Sequence, residues 1–219
     1  MYKRVIKRLL DIVISLGVLV VLSPLYLVLI LLVRINLGSP VFFHQDRPGR
    51  NEKIFRLYKF RSMNDKKDAA GNLLPDEARL TAFGKLLRKS SLDELPEFYN
   101  ILRGDMSFIG PRPLLVSYLP YYTQRERHRH DVRPGLTGLA QVHGRNALMW
   151  EDRFKYDLYY VKHCSFALDM RILSDTVKKV FHSEGIQSGA EQTVPDFDVY
   201  RREMAAAQAE QEKGATGKG

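Results

Sequence analysis

The sequence contains very little cysteine, since Cys164 is the only one among 219 residues. One cysteine excludes a disulfide framework and a cysteine-built zinc site, and it favours a reducing, cytosol-facing location. The sequence also lacks the HExxH, GxSxG, Walker and dinucleotide-binding patterns. The enzyme classes that depend on those motifs therefore have no support here. No second apolar run of membrane-spanning length follows the one near the start of the chain.

The composition is that of a globular protein with a surplus of positive charge. Apolar residues make up 45% and charged residues 27%, which excludes disorder, collagen and coiled coil for most of the chain. The length suits one domain with a small appendage. There are 34 Lys and Arg against 25 Asp and Glu, a formal charge of +9. The expected partners therefore carry phosphate: nucleic acid, nucleotide or an anionic membrane surface.

The uncharged run Ile12 to Val33 predicts a membrane segment. As one straight helix it would reach about 33 Å, barely enough for a hydrocarbon core of about 30 Å. Pro24 removes a backbone donor and predicts a bend, which the Ser23 hydroxyl can ease by bonding to the preceding turn. Both flanks are basic, and the positive-inside rule keeps such flanks in the cytoplasm. We predict a re-entrant helix hairpin over residues 1–36, broken at Ser23-Pro24, with a kinked single-pass anchor as the alternative.

The remaining chain predicts a small mixed domain over residues 37–186. Residues 40–63 have the pattern of a β-hairpin. Helical spacing occurs in four stretches, which are Glu77 to Lys89, Leu95 to Leu102, Phe154 to Val161 and Phe166 to Phe181. The last two are amphipathic and suit packing on the core or against a membrane surface. Residues 187–219 form a polar tail, expected to be largely disordered. The predicted fold class is α/β, with a membrane re-entrant helix hairpin, a cytosolic α/β catalytic unit and amphipathic interfacial helices.

The sharpest local pattern is Ser91-Leu92-Asp93-Glu94. One interpretation is a capping box, with Ser91 at a helix N-cap and Glu94 three residues on. The other is catalytic, with Asp93 as a nucleophile and Glu94 as a general base or orienting group for a second step. Spacing alone does not decide between them.

Several cations near this pattern suit a diphosphate. Lys59 and Arg61 are two apart on the second predicted strand and should share a face. Arg88 ends the preceding predicted helix, and Arg112 stands between two prolines, whose stiff backbone suits a bidentate phosphate clamp. A solvated surface position is the alternative for each cation except Arg112.

Glycines between two arginines suggest a backbone-lined anion pocket. Gly135, Gly138 and Gly144 lie between Arg133 and Arg145. Successive backbone amides in such a stretch can bind an anion, although glycine content alone is a weak indicator.

Seven stretches together resemble the bacterial sugar transferases, the small monotopic polyprenyl-phosphate phosphoglycosyl transferases. They are Lys7–Asp11, Ser23-Pro24, Tyr58–Met63, Ser91–Pro96, Gly104–Pro113, Arg133–Gly138 and Gln141–Asn146. Their order and spacing cover about residues 3–183, which is far more specific than any one motif.

The resemblance implies a reaction and the residues that perform it. A sugar 1-phosphate would pass from a UDP-sugar to undecaprenyl phosphate with release of UMP, by a ping-pong mechanism through a covalent phosphosugar-aspartate. Asp93 would be the nucleophile and would lie at a Mg²⁺ ion, and Glu94 would assist attack by the lipid phosphate. Six residues would bind substrate phosphate or nucleotide groups, namely Lys59, Arg88, Arg112, Arg145, Gln141 and Asp157.

The same resemblance implies a location and a setting. The protein would be monotopic in the bacterial cytoplasmic membrane, with its catalytic domain on the cytosolic face. It would begin a membrane glycoconjugate pathway, with the lipid bilayer and downstream glycosyltransferases as partners.

Two other functions compete with this one. A non-enzymatic basic protein of the membrane surface would explain the charge and the apolar run, but not the Asp93-Glu94 pair or the proline-flanked Arg112. Nucleic acid is excluded as its partner because the aromatics do not form a base-stacking pattern. A membrane-anchored phosphohydrolase could use the same acids, and only product analysis separates it from a transferase.

Overall fold

A computed structural model describes residues 1–144, 148–181 and 194–216. These residues form two α-helices bent against each other, eight further α-helices and two small sheets. The helices are α1 (Lys7–Val21), α2 (Ser23–Leu37), α3 (Asp76–Arg79), α4 (Ala82–Lys89), α5 (Glu97–Arg103), α6 (Gln124–Arg127), α7 (Leu139–His143), α8 (Trp150–His163), α9 (Phe166–Phe181) and α10 (Phe197–Thr216). The strands are β1 (Phe42–Pro48), β2 (Ile54–Phe60), β3 (Ser107–Ile109) and β4 (Gly135–Thr137). This mixture agrees with the predicted α/β class.

The apolar segment is bent where the sequence predicts a bend. The axes of α1 and α2 differ by 63° across the break at Leu22. Pro24 lies in the first turn of α2, and the Ser23 hydroxyl donates to the Val20 carbonyl at 2.8 Å. Within the described residues, no individual helix combines the length and apolarity needed to cross a bilayer, whereas this bent pair does so jointly.

Polar side chains of α1 attach it to the rest of the chain. The Arg8 guanidinium donates to the carbonyls of Ile101 and Leu102 at 2.6 and 2.8 Å, in the last turn of α5. The buried Asp11 carboxylate accepts from the Ser107 hydroxyl at 3.0 Å and from the next backbone amide at 3.1 Å. Because α5 follows the Asp93-Glu94 turn almost directly in the chain, these bonds attach the apolar pair close to that turn.

The second apolar helix packs through one face. Leu29, Val33 and Leu37 recur at helical spacing and are buried with Phe60 of β2 and Leu87 of α4. The Tyr26 hydroxyl on the same helix donates to the backbone carbonyl of Leu95. α2 therefore contacts the turn that carries the two candidate catalytic acids.

The predicted hairpin is confirmed. β1 and β2 pair antiparallel, from Phe42 opposite Phe60 to Pro48 opposite Ile54. Phe55 and Leu57 of β2 pack on Ile101 and Met106. β2 ends at Phe60, so Arg61 lies beyond the strand.

The predicted helix Glu77 to Lys89 is two helices in the structure, α3 and α4. Leu80 between them is extended and pairs with Met63 instead of continuing the helix. Thr81 caps α4 by accepting a hydrogen bond from the Gly84 amide at 3.0 Å. A side-chain cap and one extended residue thus divide an otherwise helical pattern.

The glycines proposed for an anion pocket have a packing role. β3 and β4 are parallel, and Gly110, Gly135 and Gly138 meet beside them. A Cβ on Gly135 would lie 2.1 Å from the Gly110 nitrogen, and one on Gly138 would lie 2.1 Å from the Gly110 oxygen. Only glycine allows backbones to approach this closely.

The two amphipathic helices enclose the main core and leave an apolar face exposed. The core cluster is Ile109, Val132, Leu139, Val142, Tyr160, Val161 and Ile172. On the opposite side of α9, apolar side chains at helical spacing are exposed, namely Phe166, Met170, Leu173 and Val177. This exposed row matches the predicted alternative of a helix lying against a membrane surface.

Residues 194–216 differ from the predicted disordered tail, since they include α10. Val194 and Phe197 are buried in an aromatic cluster with Tyr118, Trp150 and other rings. The polar, alanine-rich average of the tail concealed these two apolar anchors, and burying them offsets the entropy cost of ordering the segment. The domain limits 1–36, 37–186 and 187–219 stay a prediction.

Candidate active site

The two acids lie on a short 3₁₀ turn, Leu92–Glu94, between α4 and α5. Ser91 has a left-handed backbone with φ of 55°, and its hydroxyl does not cap the turn. The capping-box interpretation is therefore wrong. The local fold instead presents two adjacent carboxyl groups at the start of α5, free of the pairing that a capping box would impose.

Asp93 is buried, and among the described residues its carboxylate has no bonding partner. The residue is 8% exposed, and its carboxylate makes no hydrogen bond or ion pair to any described residue. Burial raises the pKa of the Asp93 carboxyl, and the charge of Glu94 adds to this, whereas Lys59, Arg88 and Arg112 oppose it. A desolvated carboxylate with unused lone pairs suits nucleophilic attack or metal binding.

Glu94 is held by two cations. One carboxylate oxygen, Oε1, accepts from Lys59 Nζ at 2.7 Å and from Arg112 Nη2 at 3.0 Å. Burial alone would raise the pKa of Glu94, but Arg112 and Lys59 outweigh it and lower the pKa to about 2. Glu94 is therefore ionised at neutral pH.

Glu97 is a third acid of the site, which the sequence analysis missed. Its carboxylate lies 3.1 Å from Lys59 Nζ, and the residue is 2% exposed. Burial raises its pKa to about 7, with Glu94 contributing in the same direction and Lys59 opposing. The spacing of three residues from Glu94 was the available signal, because such residues share one side of a helical turn.

The hairpin and α5 together place Lys59 over these acids. The fully buried Asn100 of α5 accepts from the Tyr58 amide at 3.1 Å and donates to the Arg56 carbonyl at 2.7 Å. These bonds fix the register of β2 against α5. Lys59, which follows Tyr58, consequently reaches both Glu94 and Glu97.

Arg112 combines a supported backbone with a solvent-accessible side chain. Its side chain is 45% exposed, and its backbone carbonyl accepts from the Arg129 guanidinium at 2.7 Å. Arg129 in turn pairs with Asp157 at 2.8 Å, and both are almost fully buried. Asp157 was predicted to bind substrate. In the structure it pairs with Arg129, which in turn donates to the Arg112 carbonyl.

Of the other predicted site residues, Arg88 acts on Asp93 through its charge. The exposed Arg88 side chain donates from Nε to the Ser62 hydroxyl at 2.9 Å, and its charge lowers the pKa of Asp93. Arg61 is directed elsewhere, since it donates to the Ser39 carbonyl at 3.0 Å and to Asp65 at 2.7 Å.

Of the two remaining predicted residues, only Gln141 is described, and none of its described contacts reaches this cluster. Gln141 donates to the Leu136 carbonyl at 3.0 Å, and its side-chain oxygen is buried without a partner among the described residues. Arg145 lies outside the described residues. Their roles stay predictions.

The residues of the site would suit a Mg²⁺ ion that is held by one carboxylate together with substrate phosphates. Among the described residues, no three His, Cys, Asp or Glu side chains group closely enough to hold a metal ion. Mg²⁺, however, is usually held by one or two carboxylates together with substrate phosphates and waters. The carboxylate of Asp93, which bonds to no described residue, matches that requirement, whereas Glu94 already accepts from Lys59 and Arg112.

Comparison with known proteins decides the family. The sequence model of the family described as bacterial sugar transferase matches residues 2–183. The chain belongs to the bacterial sugar transferase family. Membership identifies the chain as a transferase, and it confirms the resemblance drawn from the seven sequence stretches.

Relatives within the bacterial sugar transferase family differ in length. The uncharacterized sugar transferase EpsL of Bacillus subtilis is 52% identical over 193 residues, which cover 88% of this chain and 96% of EpsL. The UDP-glucose:undecaprenyl-phosphate glucose-1-phosphate transferase of Klebsiella pneumoniae is 41% identical over 81% of this chain. The UDP-N-acetylgalactosamine-undecaprenyl-phosphate N-acetylgalactosaminephosphotransferase of Aeromonas hydrophila is 39% identical over 82%. The aligned regions span only 40% and 44% of these last two proteins.

Proposed function

We propose that this bacterial sugar transferase moves a sugar 1-phosphate from a UDP-sugar to undecaprenyl phosphate and releases UMP. The observation that carries the proposal is the buried carboxylate of Asp93, which bonds to no described residue and is influenced by the charges of Lys59, Arg88 and Arg112. The Klebsiella and Aeromonas relatives are named for UDP-sugars and undecaprenyl phosphate, and these names supply the substrate classes. Phosphoryl transfer depends mainly on positioning and charge stabilisation, which this arrangement provides.

In the first half-reaction, a carboxylate oxygen of Asp93 attacks the phosphorus that bears the sugar. A new bond forms between that oxygen and phosphorus, the bond from phosphorus to the UMP oxygen breaks, and UMP leaves. No proton has to move from Asp93. The half-exposed Arg112 guanidinium suits bidentate contact with the phosphate oxygens. A bound Mg²⁺ at Asp93 would add neutralising charge for the diphosphate and the leaving UMP.

In the second half-reaction, an oxygen of undecaprenyl phosphate attacks the phosphosugar-aspartate. The bond between phosphorus and Asp93 breaks, which frees the carboxylate and yields the sugar on a lipid diphosphate. The lowered pKa makes Glu94 a weak proton acceptor. Its contacts instead favour an orienting role, in which it holds Lys59 and Arg112 at the transferring phosphate.

We further propose that α1 and α2 form the re-entrant membrane hairpin and that the catalytic residues face the cytosol. The 63° bend, the basic flanks and the exposed apolar row of α9 support this arrangement. The contact from Tyr26 to the Leu95 carbonyl joins the apolar helix to the catalytic turn. A lipid phosphate at the bilayer surface would then lie next to Asp93 and Glu94.

Steady-state release of UMP tests the proposal. Purified protein in lipid nanodiscs would be given a panel of UDP-sugars, with and without undecaprenyl phosphate and with Mg²⁺ or a chelator. We expect sustained UMP release from one or a few UDP-sugars only when lipid phosphate and Mg²⁺ are both present. Free sugar phosphate made without the lipid would indicate a phosphohydrolase. Absence of UMP with every UDP-sugar would favour the non-enzymatic membrane-surface protein.

A further inference from the structure

We propose that the C-terminal segment 194–201 is a positioning element for Arg112. The inference rests on the proposed role of Arg112 in binding the substrate diphosphate. The segment lies beyond residues 2–183, the range matched by the family, so it adds to the machinery that the family match covers.

The segment is attached by specific contacts. Phe197 is fully buried, and its ring centroid lies 5.0 Å from that of Trp150 and 5.3 Å from that of Tyr122. The Trp150 indole donates to the Pro195 carbonyl at 2.9 Å, and the Tyr118 hydroxyl donates to Asp196 at 3.1 Å. Arg201 adds an ion pair with Glu126. Aromatic packing combined with directional bonds fixes one orientation of the segment.

The aromatic cluster reaches Arg112 by two routes. In one, the Tyr122 hydroxyl accepts from Arg129 Nη1 at 3.4 Å, and Arg129 Nη2 donates to the Arg112 carbonyl at 2.7 Å. In the other, Leu114, which follows Arg112 by two residues, is buried in the same cluster as Phe197.

Loss of the packing by segment 194–201 would disturb both routes to Arg112. Arg129 is almost fully buried, and its charge is paired with Asp157. A shift of Tyr122 therefore moves Arg129 within a closed site instead of releasing it to water. Displacing a charged binding group by about 1 Å can cost up to about a hundredfold in rate. The tail would thus help to set the position of the Arg112 guanidinium, which itself donates to Glu94.

A double-mutant cycle tests this role in the full chain. Phe197→Ala would be combined with Arg112→Lys, and kcat and KM for the UDP-sugar would be measured for each variant below its unfolding temperature. Glu203→Ala, an exposed change on the same helix, is the matched control. We expect Phe197→Ala to raise KM and to lower kcat/KM about tenfold or more in the parent. In the Arg112→Lys background, the fold-change in kcat/KM caused by Phe197→Ala should be much smaller, since the effects of coupled residues do not add. Glu203→Ala should change neither constant.

The outcomes separate this inference from the proposed function. If Phe197→Ala lowered kcat/KM by the same factor in both backgrounds, the positioning role would be overturned. A large loss of activity in Arg112→Lys alone would still support the proposed function. If Arg112→Lys had no effect, the proposed role of Arg112 would fail, and this inference with it. Should Phe197→Ala not fold, Tyr118→Phe removes only the bond to Asp196 and completes the same cycle.

Discussion

Asp93 and Glu94 are neighbours in the chain, but their carboxylates have opposite surroundings. Glu94 accepts from Lys59 at 2.7 Å and from Arg112 at 3.0 Å, whereas Asp93 is buried and bonds to no described residue. The raised pKa of Asp93 and the lowered pKa of Glu94 follow from this difference. In the proposed mechanism, this difference makes Asp93 the reacting group and Glu94 the group that holds Lys59 and Arg112.

Asp93→Asn should abolish turnover while leaving the fold intact. We expect UMP release to fall at least about a thousandfold, because an amide is a poor nucleophile. Since burial penalises the charged form of Asp93, the neutral variant should unfold at an equal or higher temperature. Asp152→Asn, an exposed change on α8, is the control and should alter neither quantity. Near-normal turnover in Asp93→Asn would remove Asp93 from the mechanism.

Lys59→Met should destabilise the protein strongly. The substitution leaves the buried Glu97 without its cation and Glu94 with Arg112 alone. Removing one partner of a buried pair costs about 3–5 kcal/mol. Adding Glu97→Gln should restore much of the loss, whereas Lys85→Met at an exposed position should cost little. Equal unfolding temperatures for Lys59→Met and the parent would show that the ion pairs of Lys59 contribute nothing to stability.

Stability should fall as pH rises through the titration of Glu97. Its pKa is about 7 in the folded chain against an ordinary 4.5, so between these values the folded state holds the proton that the unfolded state has lost. Glu94 acts oppositely, and its contribution is lost only as pH falls from 4.5 towards about 2. Between about pH 5 and 7.5, the unfolding temperature of the parent should therefore decline more steeply than that of Glu97→Gln. Glu203→Gln should keep the parental slope, and parallel slopes for parent and Glu97→Gln would contradict the assignment.

The sequence predicted those parts of the site that depend on local pattern. Alternation of residue types predicted the hairpin, and proline chemistry predicted the bend before Pro24. The cluster of charged residues predicted that Lys59 lies beside the acids. Arg61 was misplaced because the two-residue alternation was extended past the end of β2 at Phe60.

The remaining differences come from contacts between segments distant in sequence. The spacing from Glu94 was a sequence signal for Glu97, but its pairing with Lys59 depends on Asn100, which joins α5 to β2. Ser91 looked like a helix cap, but its left-handed backbone points the chain into the catalytic turn instead. Phe197 was hidden in a polar tail, because composition averages over single anchoring residues.

The topology predicts that both flanks of the apolar pair are on one side of the membrane. Single cysteines at positions 2 and 36, in a chain with Cys164 replaced, would be labelled with an impermeant reagent in oriented vesicles. We expect both to react from the same side. Pro24→Ala should weaken the break and shift part of the population towards labelling from opposite sides. Opposite-side labelling in the parent would establish a simple span.

The most direct test of the mechanism is the mass of the intact protein after exposure to donor alone. The protein would be incubated with Mg²⁺ and the UDP-sugar that supports UMP release, without undecaprenyl phosphate, then quenched and measured by mass spectrometry. A gain of one sugar phosphate, located on Asp93 by peptide mapping and missing in Asp93→Asn, is the expected result. A parent protein that releases UMP with the lipid yet never carries the adduct would contradict a covalent intermediate at Asp93.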